Sequence, residues 1–591
     1  MPITPGRRPG GWKTMPYIIG NETFERVASF GMTTNLTVYL VKRYNMGAVA
    51  AANLTNIWNG TTNFAPLVGA FLSDAYWGRF PTIVLACVAT FLGMVGMTLT
   101  ASVSELRPPS CDAGAAQPAK GVGCVGPTAA QSAMLVASLS LLTVGAGGVR
   151  PCNLPFGADQ FDRTTKEGRR GTNSFFNWYY TTNTAAVMVG LTFVVYLQDS
   201  VSWAVGMAVP AGLMLLSLAL FLFGAGLYVY VPPEGSVLAG VVQVFAAAYR
   251  KRSLPLPSPP EQEATLFNPP AKTTGTALPV VRLPLSQQFR VLNRAAIKLP
   301  GEVKCTGGDE EGGGGAAVNR WRLCSVQQIE EVKCLIRIVP VWVSGITCFL
   351  ALSQLWTFAV IQAFFMDRRL GSKFQVPPAS LGVVSLLSIV VFLPIYDRLL
   401  VPLMRRATKQ ESGITLLQRM GIGNFISPFS TVVAGLVEQR RRHRAVAEPT
   451  RPLSVMWLVP QLALVGLAEA FNAVGQMEFY NQQFPEQMRS IATSLFYCSI
   501  AGANYLSSLV VEVVQRKTGK HGQPNWLDDN INAGRLEYFY YLLAGMGFAN
   551  LLYFLVCAHF YRYKGSGSSV APGAGEQELS PVYPGDSRRR G

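Results

Sequence analysis

The sequence predicts an all-α membrane protein whose helices cross the bilayer about twelve times, in two bundles of about six. Of the 591 residues, 49% are hydrophobic and only 14% are charged, whereas an ordinary soluble domain is roughly a quarter charged. Apolar runs of about twenty residues recur along the chain, and a helix of that length crosses roughly 30 Å of hydrocarbon. One long polar stretch separates the runs into two equal sets.

The apolar runs divide the chain into bundles and connections. They begin near Pro16, Ala48, Phe80, Ala129, Phe175, Val201, Cys334, Pro378, Leu416, Leu453, Ser490 and Leu536. Strands of a membrane barrel are about ten residues long and alternate in polarity, which these runs do not. The predicted parts are a cytoplasmic N-terminus (1–15), an N-terminal bundle (16–231), a cytoplasmic linker (232–330), a C-terminal bundle (331–561) and a disordered cytoplasmic tail (562–591).

The net charge of +17 does not indicate a nucleic-acid partner, because most of the Lys and Arg residues lie in loops between apolar runs. There they are predicted to contact lipid headgroups. The first apolar run contains charged residues, so it is predicted to be a membrane span and not a cleaved signal peptide. Both termini and the linker are predicted to be cytoplasmic.

The linker has a composition typical of a flexible connection. It contains the Pro-rich stretch 254–260 and the run Gly312 to Gly315, and we expect it to bury no core. Leu238, Val241, Val242 and Phe245 follow a helical spacing just before three basic residues. This pattern predicts a lateral helix, either on the membrane surface or as a short cytoplasmic helix.

The first span carries Glu22, Glu25 and Arg26, although a charged side chain at the bilayer centre costs about 2.5–3.5 kcal/mol. Spacings of three and four residues place them on one helical stripe, which must face the bundle interior. Arg26 favours ionised carboxylates, whereas burial and the second carboxylate favour protonation of one. The trio is therefore a candidate site for proton coupling. The alternative is a buried ion-pair network that only holds helices together.

Two further charges lie in equivalent spans of the two sets. Arg150 is late in the fourth span and Glu469 is in the tenth. If the two bundles enclose a central cavity, these spans face each other. Arg150 is then a candidate anion-binding residue, and Glu469 a candidate partner for Arg150 and for protons. The alternative for each is a side chain that extends to the membrane surface.

The connection between the second and third spans, residues 69–79, contains Asp74 and Arg79. Its glycines permit a tight turn, and the two charges can pair against neighbouring helix ends. The segment resembles the cytoplasmic-loop signature of the major facilitator superfamily, which implies the major facilitator fold. Asp74 and Arg79 are predicted to hold one conformation until transport breaks their contact.

No catalytic constellation is visible, so the chain is not predicted to be an enzyme. It has no GxxxxGK[ST] phosphate loop, and its three histidines, His443, His521 and His559, lie in loops or at a span end. No cofactor or metal is expected. Cys111 and Cys124 share one predicted outer loop and form a candidate disulfide.

Several longer motifs resemble the plant nitrate and peptide transporter family, in the proton-coupled oligopeptide transporter group. They are Glu22-Thr-Phe-Glu-Arg, Gly147-Gly-Val-Arg-Pro-Cys, Phe156-Gly-Ala-Asp-Gln-Phe, Asn173-Ser-Phe-Phe-Asn-Trp-Tyr, Glu478-Phe-Tyr-Asn-Gln-Gln-Phe-Pro-Glu-Gln-Met-Arg-Ser and Asn532-Ala-Gly-Arg-Leu-Glu-Tyr-Phe-Tyr. The resemblance covers residues 12–564. It implies proton symport by alternating access, with protons handled by Glu22, Glu25 and Arg26. It also implies that Glu469 pairs with Arg150.

The chain departs from the family pattern at two positions. Peptide carriers of the family usually have Lys where this chain has Arg150, and an Arg side chain does not deprotonate in a protein. A dual-affinity nitrate member uses a seventh-span His where ungapped alignment gives Leu352 here. Nitrate binding by that His is therefore excluded, and the predicted affinity is weak. Gln354 and Trp356 are candidate substrate contacts, and Phe364 and Phe365 could add an apolar wall or simply pack.

The sequence around Arg150 and that of residues 326–334 most resemble the subgroup of low-affinity nitrate carriers and carriers of glucosinolates and other glucosides. Negative charge is common to nitrate and glucosinolates, and it suits Arg150. The predicted partners are protons, a small anion and membrane lipid. Nitrate leads, followed by glucosinolates, glucosides or plant hormones, and then by di- and tripeptides. A sensor without net transport is the alternative of a different class. The plasma membrane is favoured over the tonoplast.

Overall fold

The computed structural model describes residues 10–109, 125–162, 165–230, 237–256, 265–269, 285–300, 302–304, 317–319, 321–371, 374–408, 413–484, 489–519, 525–528, 530–561 and 563. Nearly all of these residues are helical. Ten helices in this part of the chain are long and apolar enough to cross a membrane, which confirms the prediction of an all-helical membrane protein. The first two spans fall outside that group because charged, Asn and Thr side chains interrupt them.

The N-terminal half contains six spans. The first consists of α1 (Met15–Thr34) and α2 (Leu36–Arg43), and the next three are α3 (Ala48–Leu72), α4 (Arg79–Ser102) and α5 (Ala129–Ala158). The fifth is α6 (Lys166–Val189), extended by the π-helical turns Gly190–Val194 and Leu197–Val201, and the sixth is α7 (Trp203–Phe223). The third span packs against the fourth and sixth, and the first against the fifth and sixth.

The C-terminal half repeats this arrangement after α8 (Val237–Arg250) of the linker. The seventh span is α9 (Val326–Phe364), and the eighth consists of α10 (Gly382–Ile395), the π turn Tyr396–Leu400 and α11 (Val401–Thr408). The last four are α12 (Leu416–Ala447), α13 (Val459–Gln483), α14 (Arg489–Lys517) and α15 (Leu536–Phe560). The strands are two short pairs, Val303–Lys304 with Ala317–Val318 and Arg369–Leu370 with Phe374–Gln375.

The ends of several helices follow directly from their sequence. Thr128, Ser325 and Thr415 each begin a helix, and each forms a capping box with the Gln three residues later. Such boxes satisfy two backbone N–H groups that would otherwise have no partner. The fifth and seventh spans begin at Lys166 and Val326, earlier than their apolar runs predict, because polar first turns precede the apolar part.

The described part of the linker buries a core, so the expectation that its composition prevents one is wrong. Val244 of α8 packs with Leu266, Leu292 and Cys324 against Ile329 in the polar first turns of α9. The core forms because these apolar residues, scattered between Pro-rich and Gly-rich stretches, all meet on the polar first turns of the seventh span. A helix, α8, is present at the position predicted for the lateral helix, and its placement along the membrane surface stays a prediction.

The two halves contact each other mainly through the second and eleventh spans. Thr61 shares a hydrogen bond with Tyr505 across this contact, at 2.8 Å between hydroxyl oxygens. Near the predicted outer end, Ala48, Val49 and Ala52 of the second span join the core of the C-terminal half. The second span therefore contacts both the eleventh span and the core of the C-terminal half.

Candidate functional site

The three charged residues of the first span are buried together inside the N-terminal bundle. Arg26 Nε donates to Glu22 Oε1 at 2.7 Å and lies 3.8 Å from Glu25 Oε2. Ser29 Oγ donates to the other oxygen, Glu25 Oε1, at 2.7 Å. The four positions share one helical stripe, so two successive turns of α1 assemble the group. Arg26 is thus held between two carboxylates in a region shielded from water.

Glu22 is also tied to two other spans. Its Oε2 atom accepts a hydrogen bond from Asn153 Nδ2 of the fourth span, and the Tyr179 hydroxyl of the fifth span donates to the same carboxylate. Asn153 Nδ2 also donates to Asn21 Oδ1 at 3.2 Å, and Asn21 Nδ2 donates to Ser217 Oγ of the sixth span at 2.8 Å. The carboxylate therefore lies where four spans meet.

Arg150 lies on the fourth span one turn before Asn153. Its Nη1 donates to Asn63 Oδ1 of the second span at 3.0 Å. The guanidinium carbon is 5.9 Å from the ring centre of Tyr497 in the eleventh span, in the other half of the molecule. Arg150 interacts electrostatically with Glu22, Glu25 and Arg26. The cation is therefore between the halves and close to the first-span trio.

Glu469 does not meet Arg150 in this conformation, although the equivalent positions of the fourth and tenth spans suggest that it would. Among the described residues no ion pair joins the two charges, and Glu469 instead lies close to Cys348 of the seventh span. The reason is that Arg150 is directed along the second and eleventh spans, by Asn63 and Tyr497. Sequence reasoning missed both of these residues. The one available signal was Asn63 itself, a polar residue inside a span.

The candidate substrate contacts of the seventh span have different environments. Gln354 is fully buried, and neither its Oε1 nor its Nε2 has a hydrogen-bond partner in the described part of the chain. The ring of Trp356 packs against Gly382 of the eighth span, where an added Cβ would lie 2.1 Å from the ring. Leu352 lies in the apolar core of the C-terminal half. Only Gln354 thus leaves polar groups free for a ligand.

Phe364 and Phe365, the predicted apolar wall, both pack on apolar cores, and Phe364 also lies near a lysine. Phe365 packs on the core of the C-terminal half. Phe364 packs on the core of the N-terminal half, and Lys42 Nζ lies 5.9 Å from its ring centre. Phe364 therefore contributes to the contact between the halves, and a substrate contact of either ring stays a prediction.

Asp74 lies in a π-helical turn, Ser73–Trp77, which Gly78 ends with a φ of 79°, and Arg79 begins the next helix. Arg79 Nε is 4.0 Å from Asp74 Oδ1, and Arg79 Nη1 forms a shorter ion pair with Asp159 Oδ2 at the end of the fourth span. Burial raises the pKa of the Asp74 carboxyl, against the opposing effect of Arg79. Asp159 was not predicted as part of this site. The second, third and fourth spans are thereby fastened together at one end.

A further set of charges joins the two halves at the predicted outer end. Lys42 Nζ is 2.6 Å from Asp199 Oδ1, and Arg368 Nη1 of the C-terminal half is 3.8 Å from Asp199 Oδ2. Asp199 ends the fifth span. No sequence signal singled out this set, because its three members lie in different loops and span ends.

The remaining predictions concern cysteines and metals. Cys111 and Cys124 lie outside the described residues. Within the described part of the chain, no group of three or more His, Cys, Asp or Glu residues could hold a metal ion.

Comparisons with known proteins found a matching family model and similar sequences. Residues 80–527 match the family model described as PTR2, POT family. The chain is 50% identical over 562 residues to Protein NRT1/PTR FAMILY 2.13 of Arabidopsis thaliana, covering 94% of this chain and 88% of that protein. It is 47% identical over 567 residues to Protein NRT1/PTR FAMILY 2.9 of the same plant, covering 94% and 93%.

Solved structures of peptide transporters share the fold. An auto-inhibited POT family peptide transporter matches with a TM-score of 0.65 at 18% identity, covering 94% of this chain and 99% of that one. The POT family transporter PepTSo matches with a TM-score of 0.65 at 19% identity and the same coverage. At such identities the match establishes the architecture and leaves the substrate open.

Proposed function

Because this chain belongs to the POT family, within its NRT1/PTR branch, we propose that it is a symporter that carries a small anion together with protons. The family resemblance found in the sequence is thereby confirmed. The chain is an integral, multi-pass membrane transporter and not an enzyme. In the proposed cycle the two halves alternately open toward each side of the membrane, with nitrate as the leading substrate.

The observation that carries the proposal is the state of Arg150. Its charge is permanent, and it lies between the halves with an amide and an aromatic ring as its contacts. Within the described residues no carboxylate is in ion-pair range of it, whereas Arg26 has two. Arg150 is half-buried, and a cation shielded from water without an anionic partner is costly. A bound anion would complete this site, and a guanidinium suits a planar oxyanion such as nitrate.

Protons enter the proposed cycle through Glu22 and Glu25. When one of these carboxylates takes up a proton, Arg26 and Arg150 are left with less compensating negative charge nearby. An anion would then bind more tightly beside Arg150. Proton and anion would cross together for this reason, and each would favour binding of the other. Glu469, half-buried in the tenth span, is proposed as a second protonatable group.

Four other residues are proposed to hold one conformation, to contact substrate or to support a span. Asp74 and Arg79 would hold one state at the cytoplasmic end, because their contact fastens the third span to its neighbours. Gln354 would donate or accept hydrogen bonds toward substrate, since its buried amide otherwise has no partner. Trp356 would support the seventh span through Gly382.

Larger anions are the second candidate. Glucosinolate-like or other glucoside anions would use the same guanidinium, and the free amide of Gln354 offers hydrogen bonds that nitrate alone does not need. Plant hormones that carry a carboxylate belong to the same group. Di- and tripeptides are less favoured, because Arg150 replaces the Lys usual in peptide carriers. The plasma membrane is the proposed location.

Tracer uptake into oocytes at about pH 5.5 and about pH 7.5 tests the proposal, since carboxyl and imidazole groups change charge in and around this range. The panel comprises labelled nitrate, a glucosinolate, a carboxylate hormone and a dipeptide. We expect acid-stimulated uptake of at least one anion and none of the dipeptide. Acid-independent uptake, or uptake of the dipeptide alone, would overturn the proposal. Surface expression without uptake of any probe would favour a sensor.

A further inference from the structure

The partners of Glu22 show which protonation state the structure holds. Arg26 Nε donates to Oε1, Asn153 Nδ2 donates to Oε2, and the Tyr179 hydroxyl donates to the carboxylate as well. A proton on Oε2 would point at the amide hydrogens of Asn153, and a proton on Oε1 would point at Arg26. This arrangement therefore fits an ionised Glu22. Protonation of Glu22 requires one of its hydrogen-bond donors to rotate or move away.

Asn153 is the partner on the fourth span that can change. A guanidinium has donors only, whereas a side-chain amide has a donor nitrogen and an acceptor oxygen on the same carbon. Asn153 is fully buried, and its Oδ1 has no hydrogen-bond partner in the described part of the chain. A half-turn of the amide would bring this unused acceptor to Glu22, where it would accept a hydrogen bond from the protonated carboxyl group.

We propose that Asn153 is the positioning residue through which the fourth span distinguishes ionised from protonated Glu22. The inference rests on the proposed role of Glu22 as a proton carrier. With Glu22 ionised, the Asn153 amide nitrogen holds the fourth span against the first. With Glu22 protonated, the amide turns, and its bond to Asn21 Oδ1 is lost as well.

The position of Asn153 connects this change to the candidate anion site. Asn153 follows Arg150 by three residues on α5, so the two side chains project from neighbouring turns of one helical face. Asn21, in turn, bonds Ser217 of the sixth span. A rotation of one amide thus loosens the first span from the fourth beside the cation that would bind the anion.

Other groups near Glu22 also bear on its charge. From its own span these are Glu25 and Arg26, and from the fourth span Arg150. The third span contributes Cys87 and the fifth Tyr179. The sixth span faces this region with the uncharged Ser217, and the eleventh presents Tyr497 near Arg26. Only Asn153 and Tyr179 among the direct partners of Glu22 can both donate and accept, and only Asn153 shares a helix with Arg150.

The test compares Asn153→Leu with Asn424→Leu in the complete transporter. Asn424 is an equally buried amide on the ninth span, its Oδ1 is also without a partner, and its Nδ2 lies 3.4 Å from the uncharged Ser344 Oγ. The probe is labelled nitrate, or the anion that the uptake panel identifies, at a saturating concentration. The measurement is the pH at which initial uptake is half-maximal.

Leucine at position 153 removes a donor that stabilises ionised Glu22, so protonation becomes easier. We expect the half-maximal pH of uptake to rise by about one unit, a tenfold change in proton concentration. Asn424→Leu should leave it unchanged. If Asn153→Leu fails to reach the membrane, Asn153→Ser carries the test, because its short hydroxyl cannot replace both bonds and should shift the profile in the same direction.

The outcomes separate this inference from the proposed function. A wild-type protein whose uptake does not depend on pH would overturn the proposed function itself. A wild-type protein that responds to pH, together with an unshifted Asn153→Leu or Asn153→Ser profile, would overturn only the role of Asn153. An equal shift in Asn424→Leu would also overturn it, because the effect would then come from any buried amide.

Discussion

Glu22 receives hydrogen bonds at both carboxylate oxygens, from Arg26 and from Asn153. Glutamine at this position would keep the shape and could still accept one of these bonds, but it cannot carry a proton. We expect Glu22→Gln to abolish acid-stimulated uptake, while the protein still reaches the membrane. Currents measured on acidification, with surface abundance determined in parallel, check this expectation.

Glu512→Gln is the matched control for that experiment. Glu512 is an exposed acid on the eleventh span, and its partner Arg516 lies one turn away on the same helix. This variant should transport normally. Acid-stimulated currents of normal size in Glu22→Gln would remove Glu22 from the proposed proton pathway.

Arg150 and Glu469 are separate in this conformation, yet each lacks an oppositely charged partner within the described residues. Two such charges in a low-dielectric interior attract strongly, so we expect them to meet in another state of the cycle. Arg150→Ala and Glu469→Gln should each impair transport, and truncation of either partner should cost several kcal/mol in that state. The double variant should be less than additively worse.

Anion binding as a function of pH, measured for all four members of this cycle, decides the matter. Glu469→Gln should still bind the anion, with a much weaker dependence on pH. Strictly additive losses would mean that the two residues never interact. Equal pH dependence in wild type and Glu469→Gln would exclude the acid from proton coupling.

The charged residues of the site could be predicted from the sequence, but their uncharged partners could not. Glu22, Glu25 and Arg26 stand out because charges inside a span are costly, and helical spacing alone places them together. Asn153, Tyr179 and Ser217 come from three other spans, and polar uncharged residues are common in spans. Which of them faces a carboxylate depends on helix rotation and packing, for which one sequence offers no measure.

At the scale of elements, the linker shows how composition can mislead. Its Pro-rich and Gly-rich stretches suggest a chain without a core, yet apolar residues outside those stretches pack on the start of the seventh span. The apolar runs located most spans within a few residues. The early starts of α6 and α9 were missed because their first turns are polar. Apolar runs locate only the part of a helix that lies in hydrocarbon, and these turns are expected to extend beyond it.

The packing of the linker on the seventh span can be tested with neighbouring residues. Leu292 is buried in the linker core, whereas the adjacent Val291 is 59% exposed. Replacing a buried Leu by Ala costs about 2–5 kcal/mol. We therefore expect Leu292→Ala to speed proteolytic cleavage of the linker more than tenfold, as 1.4 kcal/mol corresponds to about tenfold, and Val291→Ala to leave it unchanged. Equal cleavage rates would show that the linker core does not hold this segment.

At the scale of the whole molecule, alternating access requires that the contacts between the halves be strong enough to close one side and weak enough to break. The second and eleventh spans stay in contact near the middle. At the outer end, the Lys42, Asp199 and Arg368 side chains are between 13% and 36% exposed. Partly exposed ion pairs of this kind contribute about 0.2–1 kcal/mol each, a size suited to a contact that reverses in every cycle.

Asp199→Asn would remove both outer ion pairs at once while keeping the size of the side chain. The closed outer end should lose about 1 kcal/mol, so the population open to the outside should rise about fivefold. A cysteine in place of the fully buried Gln354 of the seventh span (Gln354→Cys) would report this change through its rate of labelling by an impermeant thiol reagent added outside. Labelling is corrected for the same protein without that cysteine.

Salt and a control variant make this expectation specific to the outer charges. High ionic strength screens exposed ion pairs, so it should speed labelling in the wild type and have little effect in Asp199→Asn. Glu512→Gln removes an ion pair within one helix of the C-terminal half and should leave labelling unchanged. Because Asp199 is the acid shared by Lys42 and Arg368, an unchanged labelling rate in Asp199→Asn would mean that apolar packing alone closes the outer end.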